Sequence, residues 1–269
     1  TGFDNGGSIT LLGGSSQHRE IGAEVAGTIG GFTYYFTGST LQNNLGIENP
    51  APARNAIHDN TKQAKSFGYF SYLLNDSSRV SFISGTSNNR FEIPNVPNQK
   101  ASFFVNDVPS IASENLDAKQ REKNNFQVLS YQNSVDTNVD YQLSMFRRHT
   151  DVNYQPDALG DLAFNGIAAN IARHNQAYGF QGDMTYRLGD AHTLRSGLFL
   201  QRERFGVDNI SSVFAADIEG RQLDGKPFSI TDNSLLNGYL YGVYLQDEWT
   251  PVKSVTVNYG ARFDKVDTV

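Results

Sequence analysis

Residues 238–264 read GYLYGVYLQDEW, TPVKS, VTVNYGARFD. Two long arms flank a very short turn. Side chains alternate between the two faces of a strand. In the second arm this puts Val255, Val257, Tyr259, Ala261 and Phe263 on one face and Thr256, Asn258, Gly260, Arg262 and Asp264 on the other. The first arm sets Tyr239, Tyr241, Val243, Leu245 and Trp249 against Gln246 and Glu248, with Asp247 interrupting the apolar row near the turn. The stretch is a hairpin with one apolar and one polar face.

The same unit recurs upstream. Val139, Tyr141, Leu143 and Met145 oppose Asp140, Gln142 and Ser144. Tyr178, Phe180, Met184, Tyr186 and Leu188 oppose Gln181, Asp183, Thr185 and Arg187, and Leu194, Leu198 and Leu200 oppose Arg195 and Gln201. Earlier, FTYYFTGS puts Phe32, Tyr34 and Phe36 on one face. FGYFSYLL and RVSFISGTS are separated by NDSS, a turn composition. The Gly-rich GTIGG is read as a tight turn, since no Lys-Ser/Thr follows it to make a phosphate loop. Residues 157–173 could hold a short helix through Leu159, Leu162 and Ile167, although Gly160 and Gly166 weaken it.

Composition agrees with strands. Among 269 residues there are 13 Tyr, 18 Phe and 25 Gly, and the mean hydropathy is -0.45. No apolar run approaches the roughly 18 residues of a membrane-spanning helix, which leaves a membrane β-barrel open. A net charge of -6 is not the footprint of a nucleic-acid binder. Without cysteine there is neither a disulfide framework nor a thiolate metal site.

Alternation alone does not separate a membrane barrel from a soluble sandwich; the connections do. Turns of about four residues alternate with loops of roughly 20 to 35, as expected of short turns on one rim of a barrel and long loops on the other. Strands of about 9 to 14 residues suit a tilted bilayer crossing. The fold expected is all-β, an antiparallel up-and-down transmembrane barrel with long extracellular loops and short periplasmic turns. Trp249, Tyr178, Tyr186 and Phe263 are read as interfacial aromatics. The count is about eleven strands, whereas bacterial single-chain barrels have even numbers and an open edge in lipid leaves backbone groups unpaired. The wall is therefore expected to belong to a larger barrel.

Several stretches carry a family resemblance: TGFDNGGSITLLGGSS, REIGAEVAGTIGGFTYYFTGS, ENPAPARNAIHDNTKQ, YFSYLLNDSSRVSFISG and, most specifically, GVYLQDEWTPVKSVTVNYGARFD. Together they resemble the barrel of TonB-dependent outer-membrane receptors. The resemblance implies a bacterial outer-membrane barrel of about 22 strands around a plug, taking up a scarce nutrient such as a ferric siderophore with energy from the TonB complex. It implies that residues 1–7 are a linker following the plug and residues 8–269 roughly the first half of the barrel. Neither plug, TonB box nor second half is in this stretch. The implied partners are lipid, plug, remaining barrel, TonB and the nutrient ligand. The alternatives are a passive porin-like channel and a soluble β-rich binding module.

Candidate site residues follow from facing. Arg148, Glu203, Arg262 and Asp264, at strand ends nearest the long loops, are expected in an outer vestibule that meets ligand, and His58-Asp59 is a candidate loop contact. Arg187, Arg195 and Glu248, near the short turns, are expected to face the plug. For each the plain reading is a solvated or paired wall charge. His18, His58, His149, His174 and His192 are scattered along the sequence, and no catalytic motif, metal ligand set or cofactor signature is present. An enzyme is not expected.

Overall fold

The structure is a computed structural model that describes residues 2–45, 58–108 and 110–269. ENPAPARNAI, in the first long loop, lies outside the described residues. Eleven antiparallel strands form one sheet in sequence order: β1 (Gly6–Gly13), β2 (Arg19–Ile29), β3 (Phe32–Asn43), β4 (Thr61–Asn75), β5 (Ser78–Glu92), β6 (Lys119–Ser134), β7 (Val139–Gln155), β8 (Ile167–Leu188), β9 (His192–Val213), β10 (Phe228–Val252) and β11 (Val255–Thr268). β1 and β11 are its two edges, so the sheet is unclosed, as an incomplete barrel requires. Among the described residues one α-helix, α1 (Ala158–Asn165), sits between β7 and β8, and a short 3-10 turn spans Ser113–Asn115.

Connections alternate as expected. Residues 30–31, 76–77, 135–138, 189–191 and 253–254 make short turns on one rim, while 44–60, 93–118, 156–166 and 214–227 make the long connections on the other. The strands nevertheless run further than their alternation: β7 continues past Arg148 to Gln155, β9 past Phe205 to Val213, and β10 begins at Phe228. Past Arg148 and Phe205 the ladder pairs His149–Tyr154 with Ile171–Gln176 and Gly206–Val213 with Ile167–His174. Polar residues there occupy both faces. Where both faces of a strand meet water, the period-2 signal disappears although the backbone ladder continues. The long loops are correspondingly shorter than the sequence predicts.

Register fixes the two faces. Leu198 lies between Gly182 and Val243, and Leu200 between Phe180 and Tyr241, extending one apolar face across β8, β9 and β10. This face is open: Met145 is 63% exposed and Leu245 57%. Among the described residues the buried apolar side chains are only Ala118, Leu162, Ala163, Phe164, Ala168 and Ala177, several of them in or beside α1. A sheet this large without a conventional core must bury its apolar face against something outside itself.

The band has membrane dimensions. On β9 its edges are His192, beside Trp249, and Arg202, beside Tyr178 and Tyr239. About ten residues at about 3.3 Å each, tilted by about 40°, give roughly 25 Å of height, the apolar band of an outer-membrane barrel.

Candidate functional site

The opposite, polar face carries the charges that the sequence singles out. Arg148 on β7 reaches Glu203 on β9 at 3.2 Å, across β8, whose Asn175 also donates to Glu203 at 2.6 Å. Gln201 completes the cluster at 3.2 Å. Nearer the short turns, Arg187 pairs with Asp140 at 2.6 Å and Arg195 with Glu248 at 3.2 Å. On β11 the guanidinium of Arg262 donates twice to Asp264, at 2.7 and 2.9 Å. Between these pairs the rings of Phe146 and Phe199 stack at 5.7 Å, and Tyr244 donates to Asp183 at 2.8 Å. All seven candidate wall charges share this face. The pairs are partly exposed, so each contributes about 0–1 kcal/mol and can exchange partners with an incoming charged group.

Their heights differ from expectation. Glu203 pairs with Gly238 about halfway along a ladder that continues to Val213, so Arg148 and Glu203 sit midway up the wall rather than at its rim. Arg262, opposite Tyr244, is lower still. The cause is the extension of the strands beyond their alternating part. His58 and Asp59 belong elsewhere: His58 Nε2 lies 3.0 Å from the Glu114 carbonyl and Nδ1 4.0 Å from Asp117, while Asp59 is buried. The pair ties two long connections together instead of standing solvated in one.

Of the interfacial aromatics, Trp249 stacks on His192 at one edge of the apolar band, Tyr186 lies one step inside that edge beside Leu194, and Tyr178 packs against Arg147 at the other edge. Phe263 faces Val243 in the middle of the band, because β11 runs on past Asp264 to Thr268. Asp247, which interrupts the apolar row, is only 5% exposed. His192 Nδ1 and the Tyr259 hydroxyl each approach its Oδ2 at 2.7 Å, a clamp that satisfies one of the two carboxylate oxygens.

Sequence reasoning missed two groupings. His149 and Asp151 share a face two residues apart, and register puts His174 directly opposite Asp151. Both imidazoles therefore hydrogen-bond Asp151, at 2.7 and 2.8 Å. Only the register could have shown this. Among the described residues no group of His, Asp and Glu is arranged to hold a metal ion.

The second grouping is the cover over the long-loop rim. Asp157 caps α1 by accepting from Gly160 N–H at 2.8 Å and also accepts from Asp117 N–H at 3.1 Å. Gly166 ends the helix at φ 73°. The N–H groups of Ser102 and Phe103 both donate to the Ala163 carbonyl, and Phe103 stacks on Phe214 at 6.3 Å. Gln222 grips the backbone of Phe104 from the 214–227 connection. Three connections thus lie on one another.

Within α1, Asp161 is buried and burial pushes its carboxyl above the ordinary range, although Asn165 donates to it at 2.8 Å. An acid whose folded pKa is raised favours the fold below its unfolded pKa and opposes it as pH rises through the folded value. Asp161→Asn is therefore expected to increase hydrogen-exchange protection of residues 158–165 at pH 7, with the difference from wild type closing in acid. An undiminished difference in acid would contradict this.

A two-faced antiparallel wall with a bilayer-high apolar band, alternating short turns and long connections is the architecture of an outer-membrane-type β-barrel. The sequence matches the family model described as TonB dependent receptor-like, beta-barrel, over residues 49–269, and the chain belongs to that family. Similar solved structures include the ferric yersiniabactin uptake receptor FyuA from Yersinia pestis, at 12% identity over 98% of this chain and 43% of that one, TM-score 0.64. The ferripyoverdine receptor of the outer membrane of Pseudomonas aeruginosa matches at 12% identity over 98% and 37%, TM-score 0.67. The copper transporter OprC matches at 14% over 99% and 38%, TM-score 0.67. At these identities the likeness is one of fold, and the chain spans less than half the length of each. No curated protein sequence matches the chain.

Proposed function

We propose that the chain is part of the wall of a bacterial outer-membrane receptor that actively imports a scarce nutrient, a ferric siderophore or a similarly large ligand, with energy delivered through TonB. The observation that carries this reading is the family match laid over a wall whose apolar band has bilayer height. Two of the similar structures are receptors for ferric siderophores, which favours that ligand class. The long connections capture the ligand, and the Arg148–Glu203 and Arg262–Asp264 pairs on the inner face guide it by exchanging partners. Arg187, Arg195 and Glu248 face the plug, and no catalytic step is involved.

The placement of residues 2–5 supports a linker arriving from inside the barrel. Phe3 packs its ring against Tyr35 and Tyr69 on the polar face, its N–H donates to Thr28 Oγ1 at 3.0 Å, and Asn5 accepts from the Thr28 N–H at 2.7 Å. Thr28 adjoins the short turn at 30–31. Remaining strands would pair the open edges at β1 and β11.

The test is iron-limited growth of cells carrying the full-length receptor as their sole siderophore receptor, supplied with individual ferric siderophores, with and without TonB. Growth on one siderophore that requires TonB is the expected result. Uptake that persists without TonB would indicate a passive channel, and a receptor soluble without detergent would sink every membrane reading.

A further inference from the structure

Aromatic side chains gather at one height on the inner, polar face. Phe67, Phe126, Phe146, Phe199 and Tyr244 each lie seven or eight residues from the short-turn ends of their strands, at Asn75, Ser134, Val139, His192 and Val252. Glycines on neighbouring strands make room for them: the rings of Phe126, Phe146 and Tyr244 occupy the space that a side chain at Gly85, Gly179 and Gly197 would fill. Phe146 then stacks on Phe199 across β8 at 5.7 Å. The row is not covered by the rest of the chain. Phe126 is 39% exposed and Phe67 36%, with the other three half-buried. Aromatic rings turned toward a wet lumen suit a partner that presents a flat apolar group.

Guanidinium groups flank the row. Register pairs Phe126 with Arg148 at one end and Tyr244 with Arg262 at the other. A cavity of about 590 Å³ opens beside Tyr244, walled by Arg195 and Arg262. The side chains of Arg148 and Arg262 are 57% and 61% exposed, so their bonds to Glu203 and Asp264 are readily exchanged for bonds to another anion. Guanidinium both binds anionic oxygens through charge-assisted hydrogen bonds and stacks on aromatic faces. Rings and arginines together therefore recognise an aromatic group that carries negative charge.

We infer that this row is a transit station, below the point of capture, for a negatively charged ferric chelate that bears aromatic rings. An aryl group of the chelate stacks on Phe146 and Phe199, and its anionic oxygens bond Arg148 or Arg262 at the two ends of the row. The station lies beneath the connections that cover the rim, so it acts on passage and not on capture. A ferric chelate without rings, such as the citrate or a trihydroxamate, gives the row nothing to stack against. The inference rests on the transport reading and narrows its ligand to one chemistry.

Cells carrying the full-length receptor as their sole siderophore receptor would be given radioactive iron as a catecholate chelate, a phenolate chelate, the citrate or a trihydroxamate. Only the aryl chelates are expected to enter. The double variant Phe146→Leu, Phe199→Leu should lower the maximal uptake rate of the imported chelate by about tenfold, the effect of losing two aromatic contacts. Binding of the same chelate to cells without TonB should keep its wild-type Kd, which also shows that the variant is folded. Phe146→Tyr, Phe199→Tyr should keep the uptake rate, because the faces that stack are retained. Import of the citrate or the trihydroxamate, an uptake rate unchanged in the Leu variant, or a loss of binding as large as the loss of uptake overturns the proposal. Should the Leu variant fail to reach the surface, the comparison of chelates on wild type decides. Import of none of the chelates fails the siderophore reading itself, a distinguishable failure.

Discussion

Leu198→Arg is expected to destabilise the folded receptor by about 2–4 kcal/mol, the cost of a guanidinium on the lipid face near the bilayer midplane. Leu198 stands between Gly182 and Val243, midway between the Trp249 edge of the band and the Tyr178 edge. A charge there is too far from either edge to reach water easily, even with the length of an arginine. The matched control is Gln181→Arg, across the strand pair from Phe199 on the inner face, where Gln181 already donates to Asp183 at 2.8 Å. Arginine at that position gains a carboxylate neighbour in a wet lumen and should change stability by less than about 1 kcal/mol. The comparison is read from guanidinium unfolding of the detergent-solubilised full-length receptor. Equal costs at the two positions would mean that the faces are not differently solvated.

Gly179→Val is expected to cost about 1–3 kcal/mol, as overpacking does. Valine is intrinsically the better strand residue, by up to about 1 kcal/mol. That preference loses here because a Cβ at Gly179 would overlap the ring of Phe146 and come within 2.8 Å of the Leu200 carbonyl oxygen. Gly238 tests the same balance without the clash. Nothing lies within 4 Å of its would-be Cβ, so Gly238→Val should be neutral or stabilising. The two substitutions, chemically identical, are predicted to diverge: only the one at Gly179 destabilises. Placing Gly179→Val in a Phe146→Ala background should return about half of the penalty, leaving the part that comes from the backbone oxygen. If Gly179→Val stabilises as Gly238→Val does, the close stacking of Phe146 on Phe199 above Gly179 is wrong.

The fold was legible wherever one face met lipid and the other water, because only there does the alternation Val139, Tyr141, Leu143, Met145 or Leu194, Leu198, Leu200 survive in the sequence. It was illegible beyond Arg148 and Phe205, where strands rise out of the membrane into solvent on both sides. That one cause displaced the inferred strand ends, lengthened the inferred loops and moved Arg148 and Glu203 from the rim to mid-wall. The short helix was visible in Leu159 and Leu162. Gly166 proved to be its C-terminal stop rather than a weakness within it. The wall charges could be assigned to a face by parity, but their partners depend on register: Arg148 meets Glu203 across an intervening strand, and Asp151 gathers two histidines 25 residues apart in sequence. Asp247 looked like a flaw in an apolar row, since its partners His192 and Tyr259 come from the strands on either side.

The central claim is that one face of this wall lies in lipid and the other in an aqueous lumen. The chain contains no cysteine, so single cysteines introduced along β9 from His192 to Arg202 are the only labelling sites within it; in the full-length receptor any cysteine elsewhere is replaced by serine before spin-labelling in a bilayer. Labels at the even positions, Leu194, Ser196, Leu198 and Leu200, are predicted to collide preferentially with oxygen dissolved in the lipid. Those at Arg195, Gly197, Phe199 and Gln201 should collide with a water-soluble nickel complex, giving a strict two-residue period. Uniform aqueous access, or a pattern without that period, would contradict the account.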